Sequence, residues 1–130
     1  MKRTPIIPPS MQSIVAEKGY LPALEVAGFI FAAGQVGRSP DMQIATAPAA
    51  QFEACFENLR VVLAEAGCTF DDIVDMTTFH VDMSKHWQAF REVKNRVLPR
   101  GVFPWTAIGV SELAEPAFLL EVKAIACVPR

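Results

Sequence analysis

The sequence predicts an α+β domain, a mixed β-sheet with two helices packed on one of its faces. Three observations carry that expectation. Short runs rich in β-branched and aromatic residues alternate with two longer stretches whose apolar residues step by three and four. The segments follow the order strand, strand, helix, strand, helix, strand, strand, and two amphipathic helices need a common sheet face to bury their stripes. Finally, 130 residues of which 52% are hydrophobic fit a single domain, 1–130, able to bury roughly two-thirds of its unfolded surface.

Residues 1–10 hold three of the ten prolines and read as an extended arm without helical or ladder-forming capacity, because proline fixes φ and donates no hydrogen bond. Leu24–Val26 and Phe29–Ala33 flank Ala27-Gly28, the pattern of two strands joined by a tight turn. Gly34, Gly37, Pro40 and Asp41 end the second strand. A helix follows, with Thr46 as candidate cap, Pro48 in the first turn and Gly67 just past the end. Its apolar residues Phe52, Cys55, Phe56, Leu59, Val62, Leu63 and Ala66 make one stripe.

Asp71-Asp72 opens a run from Ile73 to Val81 that suits a central strand. Ser84 is placed to cap a second helix, in which Trp87, Phe90, Val93, Val97 and Leu98 recur at helical spacing before Pro99 and Gly101 stop it. Phe103–Val110 and Phe118–Val128 are the last two strands. With both helices on one face, the other face lacks a cover within the chain, and symmetric association supplies one.

Composition narrows the function classes. Twelve basic residues against fourteen acidic ones give a net charge of −2, so nucleic acid is disfavoured as a partner: its attraction comes from clustered Lys and Arg. A charged fraction of 20% with mean hydropathy of +0.27 leaves more apolar surface than a small monomer readily hides, a second pointer to oligomerisation. No apolar run approaches the roughly 20 residues of a membrane span, and prolines interrupt any signal-like segment near Lys2 and Arg3. Three dispersed cysteines without a C-x-x-C pattern fit reduced thiols, so the expected compartment is the cytoplasm.

Several chemistry-bearing residues read blandly. His80 and His86 stand outside any metal-ligand spacing, so no metal and no cofactor is expected. Gly34-Gln35-Val36-Gly37 matches no phosphate-binding loop and reads as a turn. Cys68 has no sequence partner that would activate its thiol. Arg91, Lys94, Arg96 and Arg100 read as a solvated helix face rather than an RNA contact.

A set of motifs carries more. Gly34-Gln35 after the second strand, Gln51 and Asn58-Leu59 on the first helix, Ala66-Gly67 closing it, and Leu120 through Ala126 at the end stand in a specific order and spacing. Together they resemble the Rid family of reactive intermediate deaminases, also called the YjgF-type or endoribonuclease L-PSP family, over nearly the whole chain. Pro104-Trp105-Thr106-Ala107 most resembles the family's YjgH-like branch. The resemblance implies a chorismate-mutase-like fold, a homotrimer and a small-metabolite cleft between subunits.

Better-known members hydrolyse enamines and imines made by amino-acid enzymes, releasing ammonia and a keto acid. That reaction needs a guanidinium to grip the substrate carboxylate and a positioned acid or base to move protons. By resemblance the family's arginine falls on Trp105, its strand serine on Ala33, its acidic residue on Glu121, and an aromatic residue on Tyr20, where Lys18-Gly19-Tyr20 replaces Gly-Pro-Tyr. Thr106 keeps a hydroxyl beside the arginine position. The resemblance therefore implies that Glu121 and Thr106 are catalytic and that Tyr20, Ala33, Gly34, Gln35 and Trp105 line the ligand. It also implies weak binding of 2-aminoacrylate, which Trp105→Arg would improve. From residue type alone, Trp105 reads first as a core or interface aromatic, which the family location balances against ligand stacking, and Glu121 reads equally as the solvent-facing half of a strand. A non-catalytic metabolite binder is the alternative function, and an endoribonuclease fits the acidic balance least.

Overall fold

The structure is a computed structural model that describes residues 1–130. Seven strands form one sheet: β1 (Thr4–Ile6), β2 (Ala23–Val26), β3 (Phe29–Ala32), β4 (Gln35–Val36), β5 (Ile73–His80), β6 (Trp105–Gly109) and β7 (Leu120–Cys127). The helices are α1 (Gln12–Lys18), α2 (Pro48–Glu65) and α3 (Met83–Val97). The strand order is β1-β2-β3-β7-β5-β6, with β4 also pairing β7. All pairs are antiparallel except β5 with β6, whose parallel pairing requires the crossover that α3 provides.

The hairpin forms as its sequence dictates. Ala27 and Gly28 both adopt positive φ, 53° and 84°, the geometry of a two-residue turn whose twist matches the strands it joins. On α2 the stripe from Phe52 to Leu63 is buried, and the helix lies across β7, β4 and β3. α3 packs beside it, with Phe90 fully buried between the helices and the sheet. Side chains of β7 alternate strictly: Leu120, Val122, Ala124 and Ala126 are buried under the helices, while Glu121, Lys123, Ile125 and Cys127 point to the opposite face.

That opposite face is uncovered by this chain. Phe29, Phe31 and Ile108 stand 42%, 45% and 41% exposed on it, values that leave three large apolar side chains facing solvent in an isolated protomer. No helix is long and apolar enough to cross a membrane.

Five expectations need correction. The N-terminal arm does join the ladder: β1 pairs β2 with Pro5 opposite Leu24, which the sheet tolerates because β1 is an edge strand and the missing N–H costs no bond there. There are three helices, not two; α1 spans seven residues and buries none of them fully, so it leaves no periodic stripe. Gln35–Val36 continues past the expected strand end as β4, pairing Val122 and Glu121. Thr46 does not cap α2, whose N-cap is Ala47 with Pro48 in the first turn. Ser84 does not cap α3, whose N-cap is Asp82 in a left-handed conformation.

Candidate functional site

The segment from Ala33 to Ala45 is where the sheet meets α2, and two buried amides organise it. Asn58 on α2 donates from Nδ2 to the carbonyls of Val36 and Arg38, both at 2.8 Å. Gln51, fully buried one helical stretch earlier, donates to the carbonyls of Ala45 (3.0 Å) and Ala117 (2.9 Å) and accepts from the Leu119 N–H at 2.6 Å. Residues 37–45 form a small hairpin, closed by Ala45 N–H to Gly37 carbonyl (3.1 Å) and Ser39 N–H to Gln43 carbonyl (2.8 Å). These bonds hold irregular backbone that would otherwise have buried groups unpaired.

Beside this segment lies a small cleft, walled on its other side by Tyr20 and the α1 region. Gly34 and Gln35 line it. Gly34 also touches Glu121: a Cβ at position 34 would sit 2.6 Å from the Glu121 Cδ, so only glycine admits the carboxyl group there. Glu121 is half-buried on β7 and pairs across the ladder with Val36. Burial pushes its carboxyl above the usual range, against a smaller opposing pull from Lys123. No side chain of the chain forms an ion pair with it. A carboxyl group held this way is available both as a proton donor and as a base.

The other residues singled out in the sequence are distributed differently. Ala33 is adjacent, but its N–H donates to the Pro22 carbonyl (2.9 Å) and its own carbonyl accepts from Gln35 Nε2 (3.1 Å). Thr106 lies on the open sheet face, paired with Thr77. It is separated from Glu121 by two strand spacings, about 10 Å, and two residues along the strand, about 7 Å.

Trp105 faces the other way: within its own chain it lies on the helix side of the sheet, opposite to Glu121. It pairs with buried Met76, and its ring stacks on Trp87 with centroids 5.9 Å apart and planes 9° from parallel. The Lys94 ammonium lies 4.4 Å from its centroid. Its Nε1–H donates to Thr78 Oγ1 at 2.9 Å. Because that hydroxyl accepts from the indole, its own hydrogen is free for His80 Nε2, 2.7 Å away. Burial pushes His80 down to about 4, so the imidazole is a neutral acceptor inside an aromatic cluster. Within one chain, Trp105 is a packing residue of the helix side.

Sequence reasoning missed Arg38, which lines the cleft. It stands in a glycine- and proline-rich stretch that reads as a turn, and only the Val36–Glu121 pairing shows that the stretch runs alongside the candidate acid.

Residues 10–128 match the family model described as Endoribonuclease L-PSP. The chain belongs to this family. It is 38% identical over 130 residues to the RutC family protein YjgH of Escherichia coli (strain K12), covering 99% of this chain and 98% of that protein. A solved structure of protein YJGH superposes with a TM-score of 0.92 at 37% identity, covering 100% of this chain and 99% of the other. RidA from an Antarctic Psychrobacter species matches at a TM-score of 0.78 and 25% identity, covering 84% and 88%. The mixed sheet and helices described above are thus the α+β fold of the L-PSP family, and the YjgH likeness extends over the segment that forms the cleft.

Proposed function

We propose that this protein is a Rid-type hydrolase that deaminates a small enamine or imine in the cleft beside Glu121, working as a homotrimer in the cytoplasm. The observation that carries the reading is the Glu121 carboxyl group, half-buried without an ion-pair partner and seated against Gly34, itself a lining residue of the cleft. Hydrolysis of an imine adds water to the carbon of C=N, moves protons to the nitrogen and expels ammonia, leaving a carbonyl. A carboxyl group with a raised pKa serves both halves: protonated, it gives a proton to the nitrogen; ionised, it takes one from water. Tyr20 walls the ligand, and Gly34 and Gln35 border it. Thr106, out of reach of Glu121 in its own chain, serves this site only from a neighbouring subunit. The uncovered apolar sheet face supports the trimer, since association is the available way to bury it.

Imines made freshly by an amino-acid oxidase test the reading. Ammonia release faster with the protein than without it, for at least one member of a panel, supports hydrolysis. Binding of the corresponding keto acid without acceleration of any member would assign the cleft to a metabolite sensor instead.

A further inference from the structure

We infer that Lys94 is a modification site, acylated at Nζ by a small anionic acyl donor of the acyl phosphate class. The inference goes beyond the reading of the cleft and does not rest on it, because Lys94 stands over Trp105 on the helix side of the sheet, opposite the face that carries Glu121. Among the chain's five lysines, Lys94 is partly buried, whereas Lys2, Lys18, Lys85 and Lys123 are exposed.

The basic residues of α3 and of the turn after it do not behave alike. Arg96 pairs with Glu53, and Glu57 is taken by Arg60. Lys94 has no carboxylate within ion-pair distance. Glu92, the only acid within α3, accepts instead from Gln88 Nε2 at 3.1 Å. Arg91, one helical turn earlier, and Arg100, beyond the helix end, are exposed and press on the Lys94 amine with like charge.

The amine is also held in place. Its nitrogen lies 4.4 Å from the Trp105 centroid, and that ring is fixed by its stack on Trp87 and by its Nε1–H bond to Thr78 Oγ1 at 2.9 Å. The indole face and the negative end of α3 favour the ammonium form. Burial, then Arg100, then Arg91 oppose them and prevail, holding the amine below the ordinary lysine range. A lysine deprived of water and set beside other cations is an activated nucleophile, and the same two guanidiniums draw an anionic donor toward it. The neutral nitrogen attacks the acyl carbon; the N–C bond forms, the bond from that carbon to the bridging oxygen breaks, phosphate departs with the electron pair, and the surplus proton on nitrogen passes to water. The amide that results is uncharged, so it removes the cation from the Trp105 face and relieves the repulsion with Arg91 and Arg100.

The test incubates the full chain with acetyl phosphate at pH of about 8 and follows acetylation of each lysine over time by peptide mass spectrometry, the four exposed lysines serving as internal references. Lys94 should react about tenfold faster than any of them, and Arg91→Gln or Arg100→Gln should each slow Lys94 alone. With p-nitrophenyl acetate, a neutral donor, the advantage should shrink, and in the chemically denatured chain it should disappear. A rate at Lys94 no greater than at the exposed lysines of the native parent would overturn the site, a readout that needs no variant. An advantage that survives denaturation would overturn it as well, because it would belong to the local sequence rather than to the folded cluster. An advantage as large with the neutral donor, or equal Lys94 rates in the parent and in both folded arginine variants, would overturn the choice of an anionic donor.

Discussion

A half-buried carboxylate is held ionised at a cost in folding stability, and Glu121 is such a group. Burial raises its pKa above the ordinary value, so its contribution to stability is fully present below the unfolded-state pKa and is lost as pH rises through the folded-state one. Glu121→Gln removes the charge and keeps the shape. Thermal denaturation should therefore find the variant more stable than the parent at pH 7, with the difference closing below pH of about 4. An equal difference at all pH values would mean that packing, not ionisation, separates the two. Trp105 makes a second point at this scale. The family resemblance suggests that Trp105→Arg supplies a missing substrate grip, but the ring it would replace stacks on Trp87 and lies under Lys94. The new guanidinium would meet a like charge and leave Thr78 without its indole donor. Chemical denaturation should show a loss of about 2–4 kcal/mol, without a gain in 2-aminoacrylate hydrolysis.

At the scale of elements, the functional stretch is irregular backbone pinned by amides from α2. Asn58→Ala leaves the carbonyls of Val36 and Arg38 without their side-chain partner, which should cost about 1–3 kcal/mol. Hydrogen exchange should show the loss concentrated in residues 37–45 rather than spread through the sheet. Elements with a strong period were readable from sequence: the α2 stripe from Phe52 to Leu63 and the alternation in β7 each announce a buried face. Elements without a period were not. α1 is seven residues long, and β1 contains Pro5, pairs only β2 and sends a single residue, Ile6, into the core. Both caps were misplaced because no side-chain bond closes either helix start, so the local cap chemistry that sequence offers was not what set the boundary. The roles of Gln51 and Asn58 depend on carbonyls brought in from distant segments, which no local pattern records.

For the whole molecule, the open sheet face carries Phe29, Phe31 and Ile108 in solvent, and the trimer is the arrangement proposed to bury them. Light scattering at micromolar concentration should give three times the 14.2 kDa chain mass, and Phe31→Lys should shift the population toward the monomer while the circular dichroism spectrum keeps its shape. A monodisperse monomer from the parent would remove both the assembly and the part assigned to Thr106. Of the residues that sequence singled out, Gly34, Gln35 and Tyr20 line one cleft, and Glu121 touches it only through Gly34. Sequence left Trp105 open between a ligand wall and a packed aromatic, because alternation along β6 and stacking on Trp87 decide which face that ring occupies within the chain. It missed Arg38 because nothing local distinguishes a turn residue from a cleft residue. The claim that binds these scales together is that Glu121 performs proton chemistry in that cleft. Its most direct test is ammonia release from an oxidase-generated imine, compared between the parent and a Glu121→Gln protein of the same oligomeric state. The account predicts acceleration by the parent and a rate no faster than the protein-free reaction with the variant; an equal acceleration by both would contradict it.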